Sequence, residues 1–238
     1  MKTKTEKIIF AIVSNCVLIF IISAVFLLSF GGSILFASGN LEYAPYYRGN
    51  VEKKQVSLMF NVYWGTEYID SILEVLNEYN TKATFFIGGT WADKEGEMLK
   101  NIYIRGHEIA NHGYFHIDQK KVSYSKNQEE ILVAERMIEA ILGVKTDLFA
   151  PPSGSFSDTT LKVAFDLGYK TIMWSKDTID WRDKDENLMF TRATKDLKNG
   201  DLVLMHPTRH TLNALGRILR FYDENEFSQV TVSQNIAP

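Results

Sequence analysis

The sequence has almost no cysteine, which excludes one large class of small secreted domains. Its single thiol, Cys16, lies in an apolar run near the N-terminus, so the rest of the chain cannot form a disulfide within itself. A domain without disulfides depends on the packing of its apolar core. The chain has 238 residues, of which 45% are hydrophobic, and this is enough for one large domain with such a core.

The sequence also lacks an excess of basic residues. It contains 26 Lys and Arg against 29 Asp and Glu, a net charge of −3. Three of the basic residues, Lys2, Lys4 and Lys7, precede the apolar run, so the remainder is more acidic still. Nucleic-acid binding requires a basic stripe or patch, and we therefore predict no nucleic-acid partner. Internal repeats and low-complexity tracts are absent too.

One long apolar run is present, and it predicts a membrane anchor. Residues 8–30 read IIFAIVSNCVLIFIISAVFLLSF without a charge. About 20 apolar residues span a bilayer, whereas the apolar part of a signal peptide has about 7–15. Basic residues that precede a span stay in the cytoplasm. We predict that residues 1–37 form a cytoplasmic stub and a transmembrane helix, with the domain on the extracytoplasmic side of the cell membrane. The alternative is secretion after cleavage near Ala37.

The remainder divides into a linker over residues 38–54 and a domain over residues 55–238. The linker contains Pro45 and shows no sustained period. In the domain, short apolar runs alternate with amphipathic stretches about seven times. This alternation predicts an α/β fold with parallel strands, and the even repeat favours a distorted (β/α) barrel of about seven strands over an open sheet.

Several local signals place the elements. The segment QVSLMFNV predicts the first strand, and the apolar positions between Glu67 and Tyr79 have helical spacing. Ser125 and Ser157 are candidate helix caps, and Gly143 is a candidate helix stop. The last strand is predicted at residues 229–232.

Unusual polar residues follow the predicted strands. Parallel α/β folds build their sites at the carboxyl ends of strands, so we expect these side chains to converge on one opening. They are Asn61, His112, His116, the segment Pro151-Pro152-Ser153-Gly154, Asp177, Asp180, Trp181 and His206.

His112 and His116 are four residues apart. On a helical turn this spacing places both imidazoles on one side, within reach of one metal ion. Packing or surface exposure is the alternative interpretation of the pair by itself, and the other strand-end residues are what favour a metal site.

His206 lies at the end of an apolar strand, where an imidazole needs hydrogen-bond partners. Asp180 is the candidate partner, since a carboxylate fixes the tautomer of an imidazole and suits it to act as a general acid. Trp181 and Leu204 are candidates for the wall of a small apolar pocket, with ordinary core packing as the alternative.

These residues lie in five ordered segments through which the chain resembles the polysaccharide deacetylase family. The family contains carbohydrate esterases that remove N-acetyl groups from chitin and peptidoglycan. The segments, spread over residues 55–232, are VSLMFN, GHEIANHGYFH, FAPPSGSF, WSKDTIDWR and LVLMHP. The predicted anchor and the stretch FNVYWGTEY are similar to sporulation-associated and other membrane-anchored Gram-positive members.

The resemblance implies a distorted (β/α) barrel that holds one divalent metal, usually zinc. The metal polarises the acetamide carbonyl and a water molecule, an aspartate removes a proton from that water, and a histidine protonates the departing amine. By position, the resemblance implies that His112 and His116 are metal ligands. It implies that His206 is the general acid and that Asp180 orients it. Trp181 and Leu204 would form the pocket for the acetyl methyl group, and the backbone N–H at Ser153 would help to hold the oxyanion.

Three positions depart from the family pattern. The family has two adjacent aspartates after the first strand, the base and then a third metal ligand, where this chain has Asn61 and Val62. The arginine that orients the base is replaced by Ala150. An amide has no useful basicity near neutral pH and valine cannot bind a metal, so metal occupancy is in doubt. Within the sporulation-type branch, the first aspartate is the one retained, which makes Asn61 the decisive change.

Three hypotheses follow. The first is a membrane-anchored deacetylase-like hydrolase acting on N-acetyl groups of cell-wall glycan, in which Asn61 binds the metal and Asp177 or Asp180 serves as base. The second is a catalytically inactive pseudoenzyme that binds cell-wall glycan. The third is a hydrolase of C–N bonds in small amides.

Overall fold

The first strand, β1, lies at the centre of the fold and is buried along its whole length. It covers Gln55–Val62, the predicted QVSLMFNV segment, and every one of its eight residues is buried. Such an unbroken buried run is typical of strands that are covered on both faces in parallel sheets. β1 pairs in parallel with the second strand and with the seventh.

The computed structural model describes residues 13, 15, 17–19 and 43–238. Most of the predicted membrane anchor, residues 1–37, and the first part of the predicted linker lie outside the described residues. Among the residues that are described, no helix is both long enough and apolar enough to cross a membrane. Residues 43–238 form one compact unit.

Eight strands form one sheet in which every pair of neighbours is parallel. The strands are β1, β2 (Thr84–Ile87), β3 (Glu108–Asn111), β4 (Leu148–Phe149), β5 (Lys170–Thr171), β6 (Lys176–Asp177), β7 (Asp201–Met205) and β8 (Ser228–Gln229). Their order is β5-β4-β3-β2-β1-β7-β6, with β8 beside β1. The parallel α/β architecture is thereby confirmed.

The expected closure of the barrel is not complete. β5 and β6 end the strand order and do not pair with each other in the described part of the chain, so the sheet is a curled half-barrel. Part of the predicted linker lies against the strands near this opening. Tyr46 forms a bridge to Ile172, and Arg48 forms one to Asp201, whose buried carboxylate it also contacts at 2.6 Å.

Eight α-helices connect or follow the strands among the described residues. They are α1 (Thr66–Glu78), α2 (Gly89–Lys94), α3 (Gly96–Ile104), α4 (Tyr124–Leu142), α5 (Asp158–Asp166), α6 (Glu186–Thr194), α7 (Arg209–Glu224) and α8 (Val232–Ile236). Three-residue 3₁₀ turns cover Gln119–Lys121 and Pro152–Gly154.

The strands separate an outer apolar core from an inner one. Because side chains alternate along a strand, Leu58, Phe60 and Val62 of β1 pack with the helices in the outer core. Met59 faces the inner core, together with Phe86 and other residues of the neighbouring strands. This alternation decides which strand-end residues point towards the functional site.

The local signals are confirmed in part. Ser157 caps α5 in a capping box, and Gly143 ends α4 with φ 71°. The prediction that Ser125 caps a helix was wrong. The hydroxyl of Ser123 accepts a hydrogen bond from the Lys126 N–H, and the helix begins before Ser125. The predicted last strand ends at Gln229, because Thr231 caps the short helix α8 instead.

Candidate functional site

A layer of polar side chains lies above the inner core. Met59, Ala110 and Leu204 belong to the inner core, and the residues two positions further along are Asn61, His112 and His206. Side chains two positions apart on a strand share a face. The alternation that builds the inner core therefore also brings these three polar residues together at the carboxyl ends of β1, β3 and β7.

They line a pocket of about 570 Å³. The residues that line it are Asn61, Tyr63, Trp64, His112, His116, Ser153, Trp174, Asp177, Trp181, Leu204 and His206. Of the residues expected at this opening, Asp180 lies behind His206, and the segment Pro151-Pro152-Ser153-Gly154 contributes only Ser153; all the others are in this set. The convergence predicted from the strand ends is thus present, while the individual catalytic and metal-binding roles stay predictions.

His112 is held in one orientation. Its side chain is buried, and its Nδ1 lies 2.8 Å from the Ala150 carbonyl oxygen. Since a carbonyl only accepts, Nδ1 carries the proton and Nε2 is left as an acceptor. Burial, together with the nearby His116, lowers the pKa of His112 to about 3. The imidazole is therefore neutral at physiological pH.

His116 lies at a bend in the loop after β3. Its backbone has φ 56°, and its ring stacks on Tyr63 with centroids 3.7 Å apart. The His112 and His116 ring centroids are 5.2 Å apart. Burial lowers the pKa of His116 as well. The loop between them is fixed by the buried Glu130, whose carboxylate accepts the Tyr114 and Phe115 N–H groups at 3.1 and 2.8 Å.

His206 and Asp180 form the hydrogen-bonded pair that the sequence predicted. His206 Nδ1 lies 2.8 Å from Asp180 Oδ1, and the backbone N–H of His206 donates to Asp180 Oδ2 at 2.6 Å. The Thr211 hydroxyl also donates to Oδ2, at 2.6 Å. Asp180 is buried, so these donors replace the water that its carboxylate would otherwise need. The pair leaves His206 Nε2 directed away from Asp180.

The position that the resemblance assigns to the catalytic base lacks a carboxylate. Asn61 is 3% exposed, and its Oδ1 is buried without a hydrogen-bond partner among the described residues. Val62 is fully buried in the outer core, on the side of the helices. Ala150 packs in the inner core and contributes only its carbonyl, to His112. The three departures therefore leave one polar side chain, an amide, at this side of the pocket.

The remaining predicted residues form the rim and walls. Asp177 is partly buried, which raises the pKa of its carboxyl group, and its Oδ1 accepts the Ile179 N–H at 2.8 Å. Ser153 is exposed with φ 54°. Leu204 is buried, whereas Trp181 is 56% exposed and offers much of its ring to a ligand.

The sequence analysis missed three aromatic residues in the pocket: Tyr63, Trp64 and Trp174. The Trp64 ring lies nearly parallel to His206, at an interplanar angle of 2° and a centroid distance of 5.9 Å. Tyr63 and Trp64 directly follow β1, so the rule that sites form at strand ends could have found them. Trp174 lies between β5 and β6, where no clear local pattern marks it.

The donor set does not fit a catalytic zinc site. Such sites use three protein ligands that are nitrogen, thiolate or carboxylate, and no group of three His, Cys, Asp or Glu side chains that could hold a metal occurs among the described residues. His112 and His116 supply two neutral imidazoles, and the side chain at the place of the expected carboxylate is the amide of Asn61. An amide oxygen is uncharged, which makes it a weak substitute for the carboxylate.

Comparisons with known proteins agree with this geometry. The polysaccharide deacetylase family matches this chain over residues 48–172. The chain is 36% identical over 195 residues to the uncharacterised protein YlxY of Bacillus subtilis (strain 168), which covers 82% of this chain and 61% of YlxY. It is 31% identical over 189 residues to a peptidoglycan-N-acetylglucosamine deacetylase of Bacillus cereus, covering 76% of this chain and 88% of that enzyme.

One solved structure with the same fold is itself described as a pseudoenzyme. BA3943 of Bacillus anthracis, a CE4 family pseudoenzyme, is 38% identical with a TM-score of 0.81, covering 83% of this chain and 70% of that one. A mutant of BA3943 is described as having restored enzymatic activity; it matches with 36% identity and the same TM-score, covering 83% of this chain and 72% of its own.

Proposed function

The chain belongs to the polysaccharide deacetylase family, and on this premise we propose that it is a pseudoenzyme that binds cell-wall glycan without hydrolysing it. The observation that carries the proposal is the buried amide of Asn61, whose Oδ1 has no partner in residues 43–238. It stands where the family places the carboxylate that removes a proton from water. An amide cannot take up that proton.

The pocket keeps the features that suit a sugar. Tyr63, Trp64, Trp174 and Trp181 line it, and aromatic rings present flat apolar faces on which a pyranose ring can pack. Asp177 and Asn61 supply hydrogen-bond acceptors for hydroxyl or amino groups. Family members named in the comparisons act on peptidoglycan, which supports a peptidoglycan-like or chitin-like glycan as the ligand.

Only one half of the hydrolytic machinery is present. His206, oriented by Asp180, could hold a proton at Nε2 and deliver it to a leaving amine. Zinc in this family would polarise the acetamide carbonyl, but the donor set does not fit it and no step is assigned to it. Asn61 itself cannot activate water in place of the missing base.

The direct test measures metal content and acetate release with the full purified chain. We expect less than stoichiometric zinc and no acetate from an N-acetylglucosamine tetramer or from peptidoglycan, together with saturable binding of at least one of them. Stoichiometric zinc with acetate release would reject the pseudoenzyme, and absence of any glycan binding would reject the glycan-binding role.

An active hydrolase is the second candidate, and the intact His206–Asp180 pair favours it. In this case Asp177, whose pKa is raised by burial, would act as the base. Asp177→Asn would then abolish acetate release, whereas the pseudoenzyme shows none to abolish.

The location of the domain is part of the proposal. The uncharged run of residues 8–30 supports a single membrane crossing with the domain facing the cell wall. Cleavage and secretion is the other outcome, and the mass of the protein recovered from membranes or culture medium distinguishes the two outcomes.

YlxY is longer than this chain, which spans 61% of it.

A further inference from the structure

We propose that the pocket binds the free amino group of a de-N-acetylated sugar unit in preference to an N-acetylated one. The proposal rests on the proposed glycan binding and states which chemical form of the glycan is recognised. It would make the protein a reader of deacetylated wall polymer, the product of the reaction that its relatives catalyse.

The first argument is an excess of hydrogen-bond acceptors. Asn61 Oδ1 is buried and has no donor among the described residues, and His112 Nε2 is an acceptor because Nδ1 donates to the Ala150 carbonyl. A buried acceptor without a donor costs free energy, which a ligand that donates can recover. An ammonium group has three N–H donors and no acceptor. An acetamide has one donor, and its carbonyl adds another acceptor to a site already rich in them.

The second argument is charge. Asp177 contributes a carboxyl group to the pocket, and none of its lining residues in the described chain is Lys or Arg. Four aromatic rings, those of Tyr63, Trp64, Trp174 and Trp181, line the same space. Aromatic faces attract cations within about 6 Å of the ring centre. Acceptors, a carboxyl group and aromatic faces together match a cationic amine better than a neutral amide.

The third argument is the particular substitution at residue 61. An asparagine oxygen accepts a hydrogen bond as a carboxylate oxygen does, but it does not remove a proton from water. Asn61 therefore retains the ability to contact an amino group at the place where an acetamide would otherwise be hydrolysed. Binding without turnover is the expected consequence.

The test compares three tetrasaccharides with the same β-1,4 linkage, made of glucosamine, N-acetylglucosamine or glucose. Calorimetric titration of the full chain is done with EDTA, at physiological salt and at a pH where the amino groups are protonated. We expect the glucosamine tetramer to bind about tenfold more tightly than the glucose tetramer, and more tightly than the N-acetylglucosamine tetramer.

Variants assign that preference to the pocket. Asn61→Leu removes the acceptor and lowers the affinity for the glucosamine tetramer about tenfold. The loss for the glucose tetramer is smaller, because its hydroxyl group donates an uncharged hydrogen bond to Asn61. Asn61→Asp, which changes one group of the side chain, raises the affinity for the glucosamine tetramer because the carboxylate pairs with the amine. Asp177→Asn lowers the affinity for the glucosamine tetramer. Asp93→Asn removes the same charge from an exposed position outside the pocket, and it leaves the affinity for the glucosamine tetramer unchanged.

The possible failures are distinguishable. Equal or tighter binding of the N-acetylglucosamine tetramer overturns this inference and leaves the proposed glycan binding intact. Equal losses in Asp177→Asn and Asp93→Asn also overturn it, since the attraction would then be non-specific charge. No binding of any tetramer rejects the proposed function itself. If Asn61→Leu does not fold, Asn61→Asp carries the same test in the opposite direction.

Discussion

The two sides of the pocket differ in how completely their polar groups are paired. On one side, Asp180 accepts hydrogen bonds from the His206 ring, the His206 backbone and Thr211. On the other side, Asn61 has a buried oxygen without a partner in residues 43–238. Both sides rest on the same inner core, so the difference lies in the polar residues and not in the scaffold below them.

The comparison bears on the proposed function, since each side offers different groups for proton transfer. The side of His206 is arranged to hold and deliver a proton, whereas the side of Asn61 lacks the group that would take one from water. Hydrolysis needs both halves, because the attacking water must be activated before a leaving amine can be protonated. An unpaired acceptor on one side therefore fits binding better than turnover.

The largest effect is expected from restoring a carboxylate at the incomplete side. Asn61→Asp should raise acetate release from N-acetylglucosamine tetramer about 10²–10⁴-fold above background in the presence of zinc, since it supplies a base. Adding Asp180→Asn to this variant should remove most of the gain, because the acid is then no longer oriented. Acetate release that stays at background in Asn61→Asp would show that more than the base is missing.

A carboxylate introduced at the next residue, Val62, should instead destabilise the fold. Val62 is fully buried in the outer core, so Val62→Asp places an unpaired charge among apolar side chains. We expect a loss of at least about 3 kcal/mol in the free energy of unfolding, measured by urea denaturation. Asn61→Asp is the matched control and should cost far less. Wild-type stability in Val62→Asp would mean that residue 62 can reach the pocket.

Removing the carboxylate from the complete side should cost stability as well. Asp180→Ala leaves three donors without their acceptor in a buried site, and we expect a loss of about 2–4 kcal/mol. Asp93→Ala, at an exposed position, should change the free energy of unfolding by less than about 0.5 kcal/mol. If the two variants are equally stable, the hydrogen bonds of Asp180 contribute little to the fold.

The effect that is smallest over a single pH unit concerns His112. Its pKa in the folded protein is about 3, below the ordinary 6.5, so between these values the unfolded state binds more protons. Stability should therefore fall as the pH is lowered from 6.5 towards 3, with a contribution of up to about 1.4 kcal/mol per pH unit. Urea denaturation in EDTA at several pH values should show a shallower slope for His112→Asn. His107, with a pKa of about 4, remains in both proteins, and an unchanged slope would contradict the burial effect.

Much of the fold could be predicted from residue patterns. β1 has the predicted bounds because its eight residues form one buried run, and α5 begins at its predicted cap because Ser157 is followed by Thr160 in a capping box. Barrel closure could not be predicted, since it depends on whether β5 and β6 meet. In the described chain, Tyr46 and Arg48 pair with residues beside this opening instead.

Most of the site could be predicted too, because its residues follow strands. The convergence of His112, His206 and Asn61 needed only the rule that parallel strands end at one edge. Tyr63 directly follows β1, and the same rule could have found it. Trp174 was missed because nothing in its local sequence separates a pocket-lining aromatic residue from a core residue.

The sequence alone determined the chemistry that this protein can and cannot perform at each position. Asn61 is not a base and Val62 is not a metal ligand, whatever the fold, because basicity and ligand strength belong to the side chain itself. Tertiary structure decided the rest: that Val62 faces the outer core, that Tyr63 stacks on His116, and that Asn61 Oδ1 is left unpaired. Such facts depend on which distant segments pack together, and no local pattern contains them.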